Sequence, residues 1–156
     1  MSYIILAPHA DDEIIGCYEL LLAHSKEIKT VCFATEEAIE EAVLSSQMFS
    51  FDRSHINYLP TILYSGDTLV CPDPFGELHP MHKRFGFIGV NWAQDGHSTI
   101  FYSTNMNVPY IHEVKYSGRK QYALDHCYDS KRSLWEFDHK YFLFEGYSKW
   151  IRSWDV

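Results

Sequence analysis

The segment Ala7-Pro8-His9-Ala10-Asp11-Asp12-Glu13 sets one imidazole and three carboxylates within five residues. Carboxylates side by side repel one another and raise each other's pKa, and a divalent cation among them is the usual remedy. A histidine with carboxylates suits zinc or another borderline divalent metal. The same residues also read as an acidic helix start, with Asp11 or Asp12 as cap and Glu13 facing the helix dipole. A second cluster, Pro72-Asp73-Pro74-Phe75-Gly76-Glu77-Leu78-His79-Pro80-Met81-His82, contains two histidines three apart. At a helix start that spacing puts His79 and His82 on one face. With Asp73 they offer a third ligand and a catalytic partner; alone, the cluster also reads as a loop with solvated histidines.

Both clusters follow apolar runs. Tyr3 to Ala7 is continuously apolar and ended by Pro8, as in a buried parallel strand. Glu13 to His24 has helical spacing, Ile28 to Ala34 reads as a strand, and Thr35 caps a helix over Glu36 to Phe49. Such alternation indicates βαβ units and a parallel sheet. Further on, Tyr58 to Tyr64, Asp67 to Cys71 and Thr99 to Ser103 are expected as strands. His79 to Trp92, Lys115 to Asp129 and Trp135 to Trp150 are expected as helices. Parallel strands deliver their following loops to one sheet edge, so the two clusters are expected to meet. No repeat, linker or low-complexity tract interrupts the chain, so residues 1–156 are expected to form a single α/β domain.

Composition narrows the function. At 156 residues, with 46% hydrophobic and 22% charged residues, the chain is not of disordered type. No apolar run approaches the ~18 residues of a membrane span. The first residues lack a basic region and a small-residue cleavage site, so no secretory signal is expected. The net charge of −8 disfavours non-specific nucleic-acid binding. Cys17, Cys32, Cys71 and Cys127 are scattered without a CxxC pair, which reads as reduced thiols in a cytoplasmic protein.

The first cluster resembles the His-Pro-Asp-Asp-Glu signature of the PIG-L/LmbE-like family of zinc-dependent N-acetylglucosamine deacetylases. Asp73 to His82 resembles that family's His-Pro-Asp-His motif after a glycine-containing loop. Lys120-Gln121-Tyr122-Ala123-Leu124-Asp125-His126 is similar to its later Lys-x-x-Ala-Leu-x-x-His helix, and Phe144-Glu145-Gly146-Tyr147 falls where members often carry a glutamate near an aromatic. The resemblance implies a compact Rossmann-like three-layer sandwich with a mostly parallel sheet. It further implies His9, Asp12 and His82 as ligands of Zn2+ (or another divalent metal), Asp11 as general base and His79 as acid or oxyanion stabiliser. Its reaction removes an N-acetyl group from an amino-sugar-like small molecule, metal-bound water attacking the amide carbonyl.

Three departures stand out. Ala10 replaces a proline. Met81 replaces the aspartate that would hold and charge the neighbouring histidine, unless Asp73 or Glu77 substitutes. The connection between the second helix and the second motif is short, which predicts an open site. The Met81 departure keeps two alternatives in view: a metal- or ligand-binding module with weak or lost catalysis, and an amide hydrolase acting on a modified nucleoside or thiol conjugate. His126 is open between pocket and packing. His24, His55, His97, His112 and His139 are expected outside any site, and Tyr102 to Asn105 as a polar pocket wall. The aromatic C-terminal region, Trp135 to Trp154, is expected as core or a homo-oligomer contact, with Arg132, Lys140, Lys149 and Arg152 as a basic strip.

Overall fold

The structure is a computed structural model describing residues 2–148. Its strands form one seven-stranded sheet in the order β3-β2-β1-β4-β5-β7-β6. Five of them, β1 (Tyr3–Leu6), β2 (Ile28–Phe33), β3 (Asp52–His55), β4 (Thr68–Pro72) and β5 (Thr99–Ser103), are parallel. β7 (Phe144–Ser148) lies antiparallel to β5, and the edge strand β6 (Tyr110–Glu113) antiparallel to β7.

The uninterrupted apolar runs of the central strands make sense in a sheet covered on both sides. Ile5, Val31, Phe33, Val70 and Tyr102 face one apolar layer. There they meet Ile14 and Leu21 of α1 (Asp12–Ala23), Phe49 of α3 (Val43–Phe49) and Leu124 of α6 (Ser117–Cys127). Ile4, Leu6, Cys32, Leu69, Cys71 and Phe101 face the other layer, against Leu59 of α4 (Leu59–Ile62) and Phe85 and Val90 of α5 (Pro80–Gln94). The expected mostly parallel three-layer α/β architecture is therefore the one found. The chain lays β1, β2 and β3 outward in one direction, then returns to place β4 on the other flank of β1. That reversal is where open α/β sheets form their ligand crevice.

Four departures from the sequence expectations have physical causes. The helix over Glu36 to Phe49 divides at Ala42 into α2 (Glu36–Glu41) and α3. Tyr58 to Tyr64 is not a strand: a 3-10 turn at Ile56–Tyr58 leads into α4, whose Pro60 sits in the first turn, where its missing N–H leaves nothing unpaired. Trp135 to Trp150 is not one helix; α7 (Ser133–Glu136) and α8 (Lys140–Leu143) precede β7, which gains strand partners on both sides. The polar strands β3 (Asp-Arg-Ser-His) and β6 (Tyr-Ile-His-Glu) are sheet edges and carry no apolar run to announce them. All four cysteines are free and buried. Among the described residues, no helix is long and apolar enough to cross a membrane.

Helix α1 is broken at Cys17, whose backbone (φ −133°, ψ 23°) is not helical. The Glu19 N–H, which an intact helix would direct at the Ile15 carbonyl, donates instead to both carboxylate oxygens of Glu145 (3.1 and 3.3 Å). The Ile15 carbonyl in turn accepts from the Lys120 ammonium at 2.7 Å. Lys120 and Glu145 are fully buried and 3.6 Å apart. A side-chain ion pair is thus spliced into the helix's hydrogen-bond ladder, a recognised cause of a kink. Gly16, beside the break, gives room for a ring: a Cβ there would lie 2.2 Å from Tyr102, whose hydroxyl donates to the Leu6 carbonyl.

Candidate metal centre

The first cluster occupies the turn between β1 and α1. Asp11 has φ 114° and ψ −28°, a backbone that side-chain-bearing residues seldom adopt. Its N–H donates to Glu13 Oε1 at 2.9 Å. Glu13 is fully buried, and its other oxygen accepts from Ser45 Oγ (3.1 Å) and Tyr128 OH (2.6 Å). Burial pushes the Glu13 carboxyl up to about 7 despite those donors. Asp11 makes no side-chain cap to the helix, and the Asp12 carboxylate accepts from His9 N–H, upstream of it (2.9 Å). Asp11 is the cap residue by position, and neither its side chain nor that of Asp12 caps the first N–H groups of α1.

The second cluster enters from the neighbouring strand. His79 is the N-cap of α5: its Nδ1 accepts from Met81 N–H at 3.1 Å, which fixes the neutral ring as the Nε2–H tautomer. Burial, with His9 and His82 nearby, lowers its pKa. Met81 packs into the apolar layer beneath α5. His82, one turn in, is buried and points back at the first cluster. His82 Nε2 lies 3.0 Å from Asp12 Oδ2 and 3.1 Å from His9 Nδ1, and His9 Nδ1 lies 3.4 Å from Asp12 Oδ2. These three groups could hold a metal ion. A tetrahedral zinc with ligands at ~2.0–2.1 Å needs donor atoms ~3.3 Å apart, and this triangle has that size. Two imidazole nitrogens and one carboxylate oxygen are also a donor set zinc accepts.

The three groups also set one another's charge. Burial would lower His82, but Asp12 and then Glu77 raise it to about 10. Burial would raise Asp12, but His82 beside it takes the carboxyl well below its usual range. Asp11 is raised by burial and by Asp12, against a lowering influence from Lys131. Lys131 is a residue that sequence reasoning missed, since it lies far along the chain from the motif. Its ammonium donates to the Ala10 carbonyl, stands 4.0 Å from Asp11 and pairs with Glu41 at 3.3 Å.

These groups line a cleft of about 620 Å3 with Leu78, Thr104, Asn105, Leu134 and Tyr141 among its walls. His79 is exposed at its rim, its ring 4.7 Å from that of His9. Of the expected polar wall, Thr104 and Asn105 take part, while Tyr102 is buried against α1. Asp73 does not join the metal-ligating group; its carboxylate accepts from Phe75 N–H and turns the loop. Among the described residues no carboxylate is hydrogen-bonded to His79, so neither Asp73 nor Glu77 replaces the aspartate missing at Met81 for that ring. His126 is exposed and stacks on Tyr122, away from the cleft. His24 and His112 pair with Glu27 and Glu19, His55 caps a turn, His97 stacks on Trp92 and His139 leans on Phe142, none of them at the cleft. Arg132 pairs with Asp125 and Asp129 and Lys140 with Asp138; the other members of the expected basic strip, Lys149 and Arg152, lie outside the described residues, as do Trp150 and Trp154.

No protein-family model matches the sequence, and no curated protein does. Solved structures do. The N,N'-diacetylchitobiose deacetylase of Pyrococcus horikoshii, crystallised with its inhibitor MPG, superposes with a TM-score of 0.66 at 17% identity, over 94% of this chain and 82% of that one. The conserved protein TT1542 of Thermus thermophilus superposes with a TM-score of 0.64 at 14% identity, over 98% of this chain and 100% of that one. At such identities the likeness is one of fold, and it is the fold that the sequence resemblance implied.

Proposed function

We propose that the chain is a metal-dependent amide hydrolase that removes an N-acetyl or similar N-acyl group from a small, amino-sugar-like molecule. The observation that carries this reading is the meeting of His9 Nδ1, Asp12 Oδ2 and His82 Nε2 within 3.0–3.4 Å of one another at the floor of an open cleft. The likeness of fold to a deacetylase supports it. When bound, a zinc or similar ion would supply Lewis acidity, polarising the scissile carbonyl and easing proton loss from water.

The chain's own residues then have distinct tasks. His9, Asp12 and His82 would hold the ion, their three donor atoms lying together beside the cleft. Asp11, with its carboxyl raised by burial and by Asp12, takes the proton from attacking water and returns it to the leaving amine. Lys131 steadies that carboxylate and the Ala10 carbonyl beside it. His79 donates its Nε2–H to the developing oxyanion as a neutral ring.

A second reading, a metal- or ligand-holding module with weak catalysis, is favoured by one observation: among the described residues no carboxylate is hydrogen-bonded to His79, and its pKa is lowered. Loading the protein with zinc and assaying a panel of N-acetylated amines separates the two. Turnover that Asp11→Ala abolishes while zinc is retained is expected. Zinc retained with no acylamine cleaved favours the module, and no divalent metal bound at His9, Asp12 and His82 ends the hydrolase and metal-holding readings alike.

A further inference from the structure

Glu77 lies in the loop before α5, is buried, and is not one of the three residues that converge on the candidate ion site. Both of its oxygens are engaged. Oε1 accepts from Thr104 N–H at 2.8 Å and from Thr104 Oγ1 at 2.9 Å. Oε2 is 3.0 Å from the same hydroxyl and 3.5 Å from His82 Nδ1. Thr104 Oγ1 is itself 3.4 Å from His82 Nδ1. The ring nitrogen on the far side from Asp12 and His9 therefore faces a carboxylate and the hydroxyl that donates to it, all three groups buried.

The loop is anchored independently of His82. Asn105 Nδ2 donates to the Gly76 carbonyl at 2.9 Å and Asn107 Nδ2 to the same carbonyl at 3.3 Å. Gly76 approaches the second loop so closely that a Cβ would lie 2.4 Å from the Asn107 carbonyl oxygen. The loops after β4 and β5 are thus locked together, and Glu77 stands at a fixed place behind His82.

We infer that Glu77, held by Thr104, is a positioning residue for His82: it keeps the imidazole with Nδ1–H turned into the protein and Nε2 turned toward His9 and Asp12. This rests on the metal-site reading above and deepens it. The carboxylate that position 81 lacks is supplied from position 77, and to the other histidine. A ligating histidine whose second nitrogen donates to a carboxylate has its tautomer and ring orientation set, and losing such a partner costs about 10–100-fold in metal affinity. Glu77 does more than fasten the loop: Oε1 already holds the Thr104 backbone, and Oε2 stands 3.5 Å from His82 Nδ1.

Glu77→Gln keeps an acceptor for Thr104 N–H and removes the charge facing His82; Thr104→Val removes the hydroxyl and keeps the side-chain shape. Zn2+ affinity by competition titration and the His82 Nδ1–H resonance by NMR of the metal-free protein are read on wild type and both variants. Expected are a roughly 10–100-fold loss of affinity in Glu77→Gln, a smaller loss in Thr104→Val, and a shifted or exchange-broadened Nδ1–H signal in both. Wild-type affinity in folded Glu77→Gln, or an unchanged Nδ1–H signal there, overturns the assignment. If Glu77→Gln does not fold, Thr104→Val decides by the same two criteria. Should wild type bind no zinc, the hydrolase reading fails, while the metal-free resonance still tests Glu77.

Discussion

Glu145→Gln should strip the Lys120 ammonium of its counter-charge while leaving an acceptor for the Glu19 N–H. Lys120 is fully buried, and its remaining partners are the carbonyls of Ile15 (2.7 Å) and Phe144 (3.4 Å). Breaking a buried pair at one end costs about 3–5 kcal/mol, because the other charge is left uncompensated. An independent ceiling comes from the lysine's escape route. Releasing its proton at pH 7 from an ordinary pKa of ~10.4 costs about 5 kcal/mol, so the loss cannot exceed that by much. With a urea m-value of about 2 kcal/mol per M, the unfolding midpoint should fall by about 1.5–2.5 M. The pH dependence carries a sign. Burial already lowers Lys120 in the wild type against the raising effect of Glu145, and losing Glu145 lowers it further. Between that lowered pKa and the unfolded value near ~10.4, the unfolded chain binds the proton that the folded chain lacks, so stability rises with pH. The deficit against wild type should therefore be largest near neutrality and narrow toward pH 10. Circular dichroism during urea titration at pH 7, 8.5 and 10 measures it, and Lys120→Met/Glu145→Gln should recover part of the loss. A deficit below about 1 kcal/mol at pH 7, or one that does not change with pH, would refute the reasoning.

Three further substitutions probe the frame around the site. Gly16→Ala drives a methyl into the buried Tyr102 ring and should cost about 1–3 kcal/mol; an unchanged melting temperature would show that α1 can shift away. Tyr128→Phe removes one donor from buried Glu13 and should cost about 1–3 kcal/mol by denaturant titration, with near-wild-type stability counting against the Glu13 network. Thr35→Ala removes the hydroxyl that accepts from Ala38 N–H and should cost about 1 kcal/mol, read the same way, with zinc affinity unaltered because Thr35 and the residues of α2 neither line the cleft nor belong to the metal-ligating group.

The parts legible in sequence are those where local chemistry and tertiary role coincide. The apolar runs of β1 and β4 are apolar because both faces are covered, and the residues that follow them carry polar groups because the crevice opens there. Hence His9, Asp12 and His82 could be brought together on paper although 73 residues separate the two histidines. Edge strands β3 and β6 escaped notice because they borrow their stability from a neighbour rather than from their own side chains. Strand β7 hid in an aromatic stretch that reads equally well as a helix. Lys131 reaches Asp11 only through the path of α6 and the turn after it. The two weakest motif fragments, around Lys120 and around Glu145, prove to hold the two ends of one ion pair, a link that exists only in three dimensions.

Asp11 has a consequence for how this chain would drift under relaxed selection. Its left-handed backbone costs about 1–3 kcal/mol for a residue with a Cβ, and its buried carboxyl sits against that of Asp12. Glycine at this position would relieve the strain and the crowding of charge together. A lineage that had ceased to use the proton at this carboxyl would gain stability by its first substitution here. On the proposed role of Asp11, position 11 trades stability for chemistry, and its replacement by glycine would single out relatives that had given up the proton transfer while keeping His9, Asp12 and His82.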